Sequence, residues 1–167
     1  EQITIIAMPP IGLFRKILDG LEGERTLPHV RMVLLGGDDL TKHDVERFWK
    51  SFKHGPTLVF RLAGTEYMLI RELHIHPGMK ISTEKVPVAH AVPDKEILLL
   101  DENGVEVPAG EIGEIVVRSS YLASGYWRQD DLTSDRFKPD PNGSPGKIYV
   151  TGDLARITPD GQMELMG

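Results

Sequence analysis

Three residues near the end of the chain, Thr151-Gly152-Asp153, could bind a sugar. Strand-type residues lie on both sides of them, at 148–150 and 154–157, so we predict that Asp153 lies at a break between two strands. Gly152 would let the backbone bend there or approach a ligand closely. A carboxylate held at such a break can accept hydrogen bonds from two neighbouring sugar hydroxyls. The alternative is an ordinary turn in which Asp153 supports its own backbone.

A second stretch with candidate chemistry, Ala63-Gly64-Thr65-Glu66, follows an apolar run at residues 57–62. Ala63 and Gly64 are small enough for a flat ring to lie against the backbone. The Thr65 hydroxyl could donate to a phosphate oxygen, and the Glu66 carboxylate is a hard oxygen ligand suited to Mg²⁺. A turn with these residues at the end of a parallel strand could hold a nucleotide and its metal. The alternative is a tight turn followed by a surface acid.

The elements that would position these stretches begin with an α/β layer. Apolar runs at residues 3–7, 31–35 and 57–62 predict three strands, and we expect the first two to be buried on both faces. Two stripes with helical spacing separate the strands, at Ile11, Phe14, Ile17, Leu18 and Leu21 and at Val45, Phe48, Trp49 and Phe52. This order predicts a parallel, right-handed layer with ligands beyond the carboxyl ends of its strands.

Capping residues indicate where the two helices begin and end. Pro10 suits the first turn of the first helix, and Gly23 is a suitable stop. Thr41 and Asp44 have the spacing of a capping box at the start of the second helix, which Gly55-Pro56 would close.

The second half of the chain has the pattern of a β-rich lobe. Short apolar runs recur at residues 67–70, 86–91, 96–100, 114–118, 147–150 and 162–166. Asn103-Gly104 and Asp160-Gly161 are hairpin signals between them. We therefore predict an α/β chain, with a partial parallel α/β layer at residues 1–83 and a β-rich, distorted-barrel lobe at residues 84–167.

Composition excludes several classes of function. The 167 residues carry 19 Lys and Arg against 25 Asp and Glu, a net charge of −6 that argues against binding to nucleic acid. The chain has no cysteine, which excludes disulfides and thiolate metal sites. No apolar run approaches the length of a membrane span, and no signal-peptide pattern opens the chain, so we expect a cytoplasmic protein.

Two further stretches have a functional and a structural interpretation. The imidazoles of His74-Ile75-His76 would share one face of a strand, a spacing that can bind metal, but the sequence offers no third ligand nearby. The Pro- and Gly-rich residues 139–146 could form a lid over a site, and an exposed connector is the favoured interpretation.

Several motifs follow one another along the chain, at Leu62-Ala63-Gly64-Thr65-Glu66, Gly113-Glu114-Ile115 with Ala123-Ser124-Gly125-Tyr126, Leu132-Thr133 with Phe137, Tyr149-Val150-Thr151-Gly152-Asp153-Leu154, and Asp160-Gly161 with Glu164-Leu165-Met166-Gly167. In this order and at this spacing they resemble the core motifs of the adenylate-forming (AMP-binding) superfamily. The chain is most similar to the adenylation domain of a nonribosomal peptide synthetase, in the C-terminal part of its large N-terminal subdomain.

The resemblance implies ATP-dependent activation of a carboxylic or amino acid as acyl-AMP, followed by transfer to the phosphopantetheine thiol of a carrier protein. It assigns Asp153 to the ribose hydroxyls, Thr65 to the α-phosphate and Glu66 to Mg²⁺. Thr65 and Glu66 would be the catalytic residues, and ATP or AMP with Mg²⁺ the cofactors. Leu62, Ala63 and Gly64 would lie along the adenine. The acyl or amino-acid pocket would be lined by Ala7, Leu34, Gly36, Arg61, Leu69 and Ile70.

The chain departs from the family pattern at three positions. Leu62 replaces an aromatic residue that usually stacks on adenine, and Phe60 replaces an Asn. Arg61 puts a charge in the expected pocket wall, where it would either select an acidic substrate or reach solvent.

The resemblance also implies that a phosphate loop precedes this stretch and that a small domain with a catalytic Lys follows it. We therefore expect the chain alone to be inactive. An acyl-CoA ligase fragment and a non-catalytic docking scaffold are the alternative functions.

Overall fold

A computed structural model describes residues 2–21, 27–140 and 146–166. The chain forms two compact units, Glu1–Leu62 with Glu72–Val88 and Ala63–Arg71 with Ala89–Gly167. The division into domains at residues 1–83 and 84–167 stays a prediction, and the compact units follow different bounds. The proposed stop at Gly23 and most of the connector at 139–146 lie outside the described residues. No helix in the described part of the chain is long and apolar enough to span a membrane.

The first unit contains the α/β layer that the sequence predicts. Its elements are β1 (Ile5–Pro10), α1 (Ile11–Gly20), β2 (Met32–Gly36), α2 (Lys42–Ser51), β3 (Thr57–Gly64) and β4 (Met68–Ile75), of which β3 and β4 continue into the second unit. β2 pairs in parallel with β1 and with β3, through Leu34 opposite Ala7 and Val59. The predicted order of strands and helices, and their parallel direction, are confirmed.

The two helices share an aromatic core. Phe14 of α1 lies 6.1 Å from Phe48 of α2, measured between ring centroids, and Phe48 lies 4.8 Å from Phe52. All three side chains are at most 2% exposed. The predicted apolar stripes therefore form the contact between the helices. Truncating a fully buried aromatic side chain to alanine typically lowers the free energy of unfolding by about 3–5 kcal/mol.

The prediction that the first strand is buried on both faces is wrong. Ile3 and Ile5 are 53% and 39% exposed, whereas Val33, Leu34 and Leu35 of β2 are buried. The reason is the position of β1, which among the described strands pairs with β2 alone and forms an edge of the five-stranded sheet β1-β2-β3-β4-β5. An apolar run does not distinguish an edge strand from a central one.

The second unit is the β-rich lobe. Its further elements are β5 (His90–Ala91), β6 (Glu96–Leu100), β7 (Ile112–Ser119), α3 (Asp130–Arg136), β8 (Phe137–Pro139), β9 (Lys147–Ile157) and β10 (Met163–Leu165). The antiparallel order β10-β9-β7-β6, with β8 also on β9, confirms the predicted antiparallel pattern. Helix α3 was not predicted because none of its residues is buried, which leaves no apolar stripe to detect.

The predicted hairpin turns are present at both sites. Val105 and Asp101 close the first through a 2.8 Å backbone hydrogen bond, with Gly104 at φ 76°. The second joins β9 to β10, with Gly161 at φ 79°. Both glycines adopt left-handed backbone angles that favour Gly, as expected for such turns.

The start of α2 is a capping box, as predicted. The Asp44 N–H donates to the Thr41 hydroxyl at 3.2 Å, and the Asp44 carboxylate accepts from the Thr41 N–H at 3.0 Å. The same carboxylate accepts two 2.8 Å hydrogen bonds from Arg15 of α1. Burial alone would raise the pKa of Asp44, but the hydrogen bonds from Arg15 and Thr41 outweigh it and lower the pKa from 3.8 to about 2.

Substitution Asp44→Asn should therefore destabilise the protein by about 2 kcal/mol at pH 7. Since the folded-state pKa is depressed, this stabilisation is complete above about pH 4 and disappears as the pH falls through 2. Urea unfolding of both proteins at pH 7 and pH 2.5 measures the difference, which should shrink at the lower pH.

Asp39→Asn is the matched control. Asp39 forms an exposed ion pair with Lys85 in the same unit, and such pairs contribute at most about 1 kcal/mol. Equal destabilisation by both substitutions would contradict a special role for the capping box.

Candidate functional site

The Thr151-Gly152-Asp153 segment is a bulge inside one long strand. β9 runs from Lys147 to Ile157 without interruption, so the predicted break between two strands is wrong. Along β7, Val116 pairs with Val150 and Glu114 pairs with Leu154, which leaves three residues of β9 opposite Ile115. The extra residues bend the strand locally while the ladder continues on both sides.

Hydrogen bonds of Thr151 fix the bulge. Its hydroxyl donates to the Ile115 carbonyl at 2.9 Å and accepts from the Asp153 N–H at 3.0 Å. Gly152 adopts φ 87°, which favours glycine, and leaves the Asp153 side chain exposed. The carboxylate thus stands on a strand rather than on a loop.

Arg136 closes one side of the bulge. Its Nη1 donates to the Val150 carbonyl at 3.2 Å, and a Cβ atom on Gly152 would lie 3.1 Å from it. The backbone angle of Gly152 favours glycine, and a larger residue there would also require the guanidinium group of Arg136 to shift slightly. The sequence indicated the backbone angle but not Arg136.

Glu66 lies in the turn between β3 and β4. Its carbonyl accepts from the Ala123 N–H at 2.8 Å, and its carboxylate Oε1 accepts from the Tyr126 hydroxyl at 2.8 Å. Thr65 is exposed beside it, and Glu66 is partly buried. Gly64 leaves room for Tyr67, because a Cβ atom there would lie 2.6 Å from the Tyr67 ring. The small residue thus has a packing role besides the one predicted.

Four aromatic residues connect the Glu66 turn to β9. We call Tyr67, Tyr126, Phe137 and Tyr149 the aromatic cluster. The Tyr149 ring lies 5.5 Å from Tyr67 and 4.8 Å from Phe137, and Phe137 lies 5.6 Å from Tyr126. The hydroxyl oxygens of Tyr126 and Tyr149 are 3.0 Å apart. The sequence contained both tyrosines in recognised motifs, but it gave no sign that they contact Glu66.

The charges of both predicted carboxylates, Glu66 and Asp153, act on the Tyr67 hydroxyl. Burial, with smaller contributions from the negative charges of Asp153 and Glu66, raises the pKa of the Tyr67 hydroxyl to about 12. Burial and the hydrogen bond with Tyr126 also raise the pKa of Tyr149. Thr65, Glu66 and Asp153 all belong to the second unit, although Asp153 is far from the other two in sequence.

The residues of the expected acyl pocket divide between the two units. In the first unit, Ala7 pairs with Leu34, and Gly36 pairs with Arg61 across neighbouring strands. Leu69 and Ile70 belong to the second unit, where the Leu69 carbonyl accepts from Lys95 Nζ at 2.8 Å. Ile70 and Leu34 are buried.

Arg61 has a partner that the sequence did not suggest. Its Nε lies 3.1 Å from Glu72 Oε2, and both side chains are at least partly buried. Because Glu72 neutralises the guanidinium group, the charge of Arg61 is not evidence for an acidic substrate. The side chains at the two other positions that depart from the family pattern are buried. Phe60 is 2% exposed and Leu62 is 8% exposed.

The His74 and His76 side chains contact different partners. His74 Nε2 lies 3.0 Å from Glu72 Oε1, and His76 Nδ1 lies 3.5 Å from the Thr57 hydroxyl. Within residues 2–21, 27–140 and 146–166, no group of three or more His, Asp or Glu side chains could by itself hold a metal ion.

Glu66 nevertheless fits a Mg²⁺ ion that also binds phosphates. Mg²⁺ commonly uses one or two carboxylates together with substrate phosphates and water. Oε1 accepts from the Tyr126 hydroxyl, and a carboxylate that accepts through one oxygen can still bind a cation through the other, Oε2.

Curated relatives match the whole chain. It is 30% identical over 175 residues to malpinin synthetase of Mortierella alpina and 35% identical over 170 residues to bacitracin synthase 1 of Bacillus licheniformis. These matches cover 100% of the chain but 2% and 3% of the relatives. Gramicidin S synthase 1 of Brevibacillus brevis is 30% identical, and the chain spans 14% of its length.

Solved structures share the fold. The N-terminal subdomain of NpsA from Klebsiella oxytoca, in complex with 3-hydroxybenzoyl-AMSN, is 26% identical with a TM-score of 0.78, over 99% of this chain and 42% of that one. PA1221, a nonribosomal peptide synthetase protein with adenylation and PCP domains, is 26% identical with a TM-score of 0.80, over 96% of this chain and 32% of that one.

A third structure, the AMPPNP-bound form of the synthetase FmoA3, has a TM-score of 0.86 at 22% identity, over 99% of this chain and 18% of that one, which shows the fold alone. The family model described as AMP-binding enzyme matches residues 1–127. Since this match covers more than half of the chain, the chain belongs to the family of AMP-binding enzymes.

Proposed function

We propose that the chain is the C-terminal part of the large subdomain of a nonribosomal peptide synthetase adenylation domain. In the full-length protein it would bind ATP and activate a carboxylic or amino acid as acyl-AMP. The observation that carries this proposal is the contact of Glu66 with the Tyr126 hydroxyl, which lies 3.0 Å from the hydroxyl of Tyr149, on the same strand β9 as Asp153. The family match at residues 1–127 supports AMP binding.

Asp153 has the chemistry and exposure of a ribose-binding residue. A carboxylate can accept from two vicinal hydroxyls at once, and the bulge holds Asp153 on a rigid strand with its side chain in solvent. The exposed hydroxyl of Thr65 can donate to an α-phosphate oxygen. Ala63 and Gly64 would lie along the adenine, whereas Leu62 is largely buried and offers it little surface.

The proposed reaction is an in-line displacement. An oxygen of the substrate carboxylate bonds to the α-phosphorus of ATP while the bond to pyrophosphate breaks, and acyl-AMP and pyrophosphate result. No side chain needs to exchange a proton, so these residues contribute position and charge. Mg²⁺, when bound, supplies positive charge at the phosphates, and Glu66 Oε2 would hold it.

We propose a carrier-protein thiol as the acceptor of the acyl group. The curated synthetases and the PCP-containing structure favour this acceptor over coenzyme A. Mg²⁺ and a cytoplasmic location stay predictions. An acyl-CoA ligase would transfer the same acyl group to coenzyme A, so assays with the two thiols distinguish the alternatives. A docking scaffold would bind no nucleotide even in the full-length protein.

Substitution Asp153→Asn in the full-length protein should weaken AMP binding by about 10-fold to 100-fold, because hydrogen bonds to a charged group contribute about 1.5–3 kcal/mol. Isothermal titration calorimetry measures the change. Asp135→Asn is the matched control, an exposed carboxylate on α3, and should leave the affinity unchanged. Equal affinities for wild type and Asp153→Asn would remove Asp153 from the site.

The isolated chain of 167 residues should not catalyse exchange of radiolabelled pyrophosphate into ATP. The physical reason is that positioning provides most of the rate in this reaction, and the resemblance places the phosphate loop and the catalytic Lys outside this chain. Robust exchange by the chain alone, under conditions where the full-length protein is active, would contradict this expectation.

A further inference from the structure

We propose that Tyr126 and Tyr149 are positioning residues that hold the Glu66 carboxylate in the orientation in which it binds a divalent cation. This inference rests on the proposed function and deepens it. It concerns two side chains that the motifs contain but to which the sequence assigns no contact with the metal site.

The direction of the hydrogen bonds follows from counting hydrogens. A phenol has one hydroxyl hydrogen, and Tyr126 donates it to Glu66 Oε1 at 2.8 Å. The hydrogen of Tyr149 is then the one available for the contact of 3.0 Å between the two phenol oxygens, and the Tyr149 hydroxyl also interacts with the Glu66 side chain. The chain therefore runs from Tyr149 to Tyr126 to Glu66, and each oxygen along it accepts from the previous hydroxyl.

The surroundings keep both phenols in place. The Tyr126 N–H donates to the Thr133 hydroxyl at 2.9 Å, and a Cβ atom at Gly125 would lie 2.4 Å from the Thr133 methyl carbon. Tyr149 is 5% exposed and lies on β9, packed between Tyr67 and Phe137. Glu66 thus accepts two hydrogen bonds, one at its carbonyl from the Ala123 N–H and one at a carboxylate oxygen from the Tyr126 hydroxyl.

When the hydrogen bond from Tyr126 fixes Oε1 of Glu66, the other carboxylate oxygen, Oε2, also points in a defined direction. A glutamate side chain has several rotatable bonds, and ordering them costs entropy when a metal binds. The hydrogen bond to Oε1 removes this freedom beforehand, so Oε2 is oriented before the cation arrives. Groups that orient metal ligands in this way typically change metal affinity by about 10-fold to 100-fold when they are removed.

The test uses the full-length protein with ATP and Mn²⁺, whose electron paramagnetic resonance signal reports free and bound metal. Tyr126→Phe should weaken Mn²⁺ binding to the ATP complex by about 10-fold. ATP binding in EDTA should change by less than about twofold, because the substitution removes a metal-orienting contact and not a nucleotide contact. Tyr149→Phe should act in the same direction and more weakly.

A double-mutant cycle separates positioning from general stability. If Tyr126 acts through Glu66, Tyr126→Phe should have no further effect on Mn²⁺ affinity in a Glu66→Gln background. Tyr121→Phe is the matched control, because Tyr121 is 68% exposed and lies outside the hydrogen-bond chain. Circular dichroism checks that each variant is folded. If Tyr126→Phe does not fold, Tyr149→Phe makes the same test, since it removes the hydroxyl that contacts Tyr126 and Glu66.

The outcomes distinguish the two proposals. The positioning role would be overturned by unchanged Mn²⁺ affinity in both tyrosine variants, or by effects on Mn²⁺ affinity that are fully additive with those of Glu66→Gln. Nucleotide binding by the wild type would still support the proposed function in either case. A wild-type protein that binds neither ATP nor Mn²⁺ would overturn both. Normal metal affinity in Glu66→Gln would remove Glu66, and with it the tyrosines, from the metal site.

Discussion

Strand β9 pairs with three strands, β7, β8 and β10, and also carries the exposed carboxylate of Asp153. Most of the second unit is arranged around these two demands on one strand. β8 pairs with residues 147–149 of β9, and β10 pairs with residues 155–157. Between these two pairings one edge of β9 is not covered by a strand, and the bulge lies in this interval. There the Val150 carbonyl accepts from the side chain of Arg136.

The position of the bulge explains how a strand can carry a binding residue without losing its ladder. On the other edge, β7 continues to pair on both sides of Ile115, and the Thr151 hydroxyl takes the place of the missing backbone contact. A carboxylate on such a strand moves less than one on a free loop, which favours precise hydrogen bonding to a ligand. The same strand supplies Tyr149, so it reaches both carboxylates of the proposed site.

Much of the fold could be predicted from the sequence because local patterns determine it. The Thr41 and Asp44 capping box, the helical stripes through Phe14 and Phe48, and the turn glycines all depend on residues close in sequence. The exposure of β1 could not be predicted, since it depends on which strands flank it. The bulge was missed because an extra residue in a ladder appears only when the partner strand is known.

For the site, the sequence identified the residue types but not what holds them. Thr65, Glu66 and Asp153 were found from their chemistry and from the motifs around them. The contact from Tyr126 to Glu66 joins residues that are 60 positions apart, and no local pattern encodes it. Arg61 is a similar case, because its charge suggested a role in substrate choice until Glu72 was found beside it.

The burial of Phe60 and Leu62 would limit how adenine is recognised in the proposed site. Both side chains lie in the interior, where they contribute to packing and present almost no surface to a ligand. An aromatic residue at position 62 could stack on a purine, whereas a buried leucine gives neither a ring nor a hydrogen bond. The backbone at Ala63 and Gly64 is then the part of this segment that remains for the base. Under the proposed function, recognition of the nucleotide would therefore depend more heavily on its ribose and phosphates, which are the groups that Asp153, Thr65 and Glu66 are chemically suited to bind.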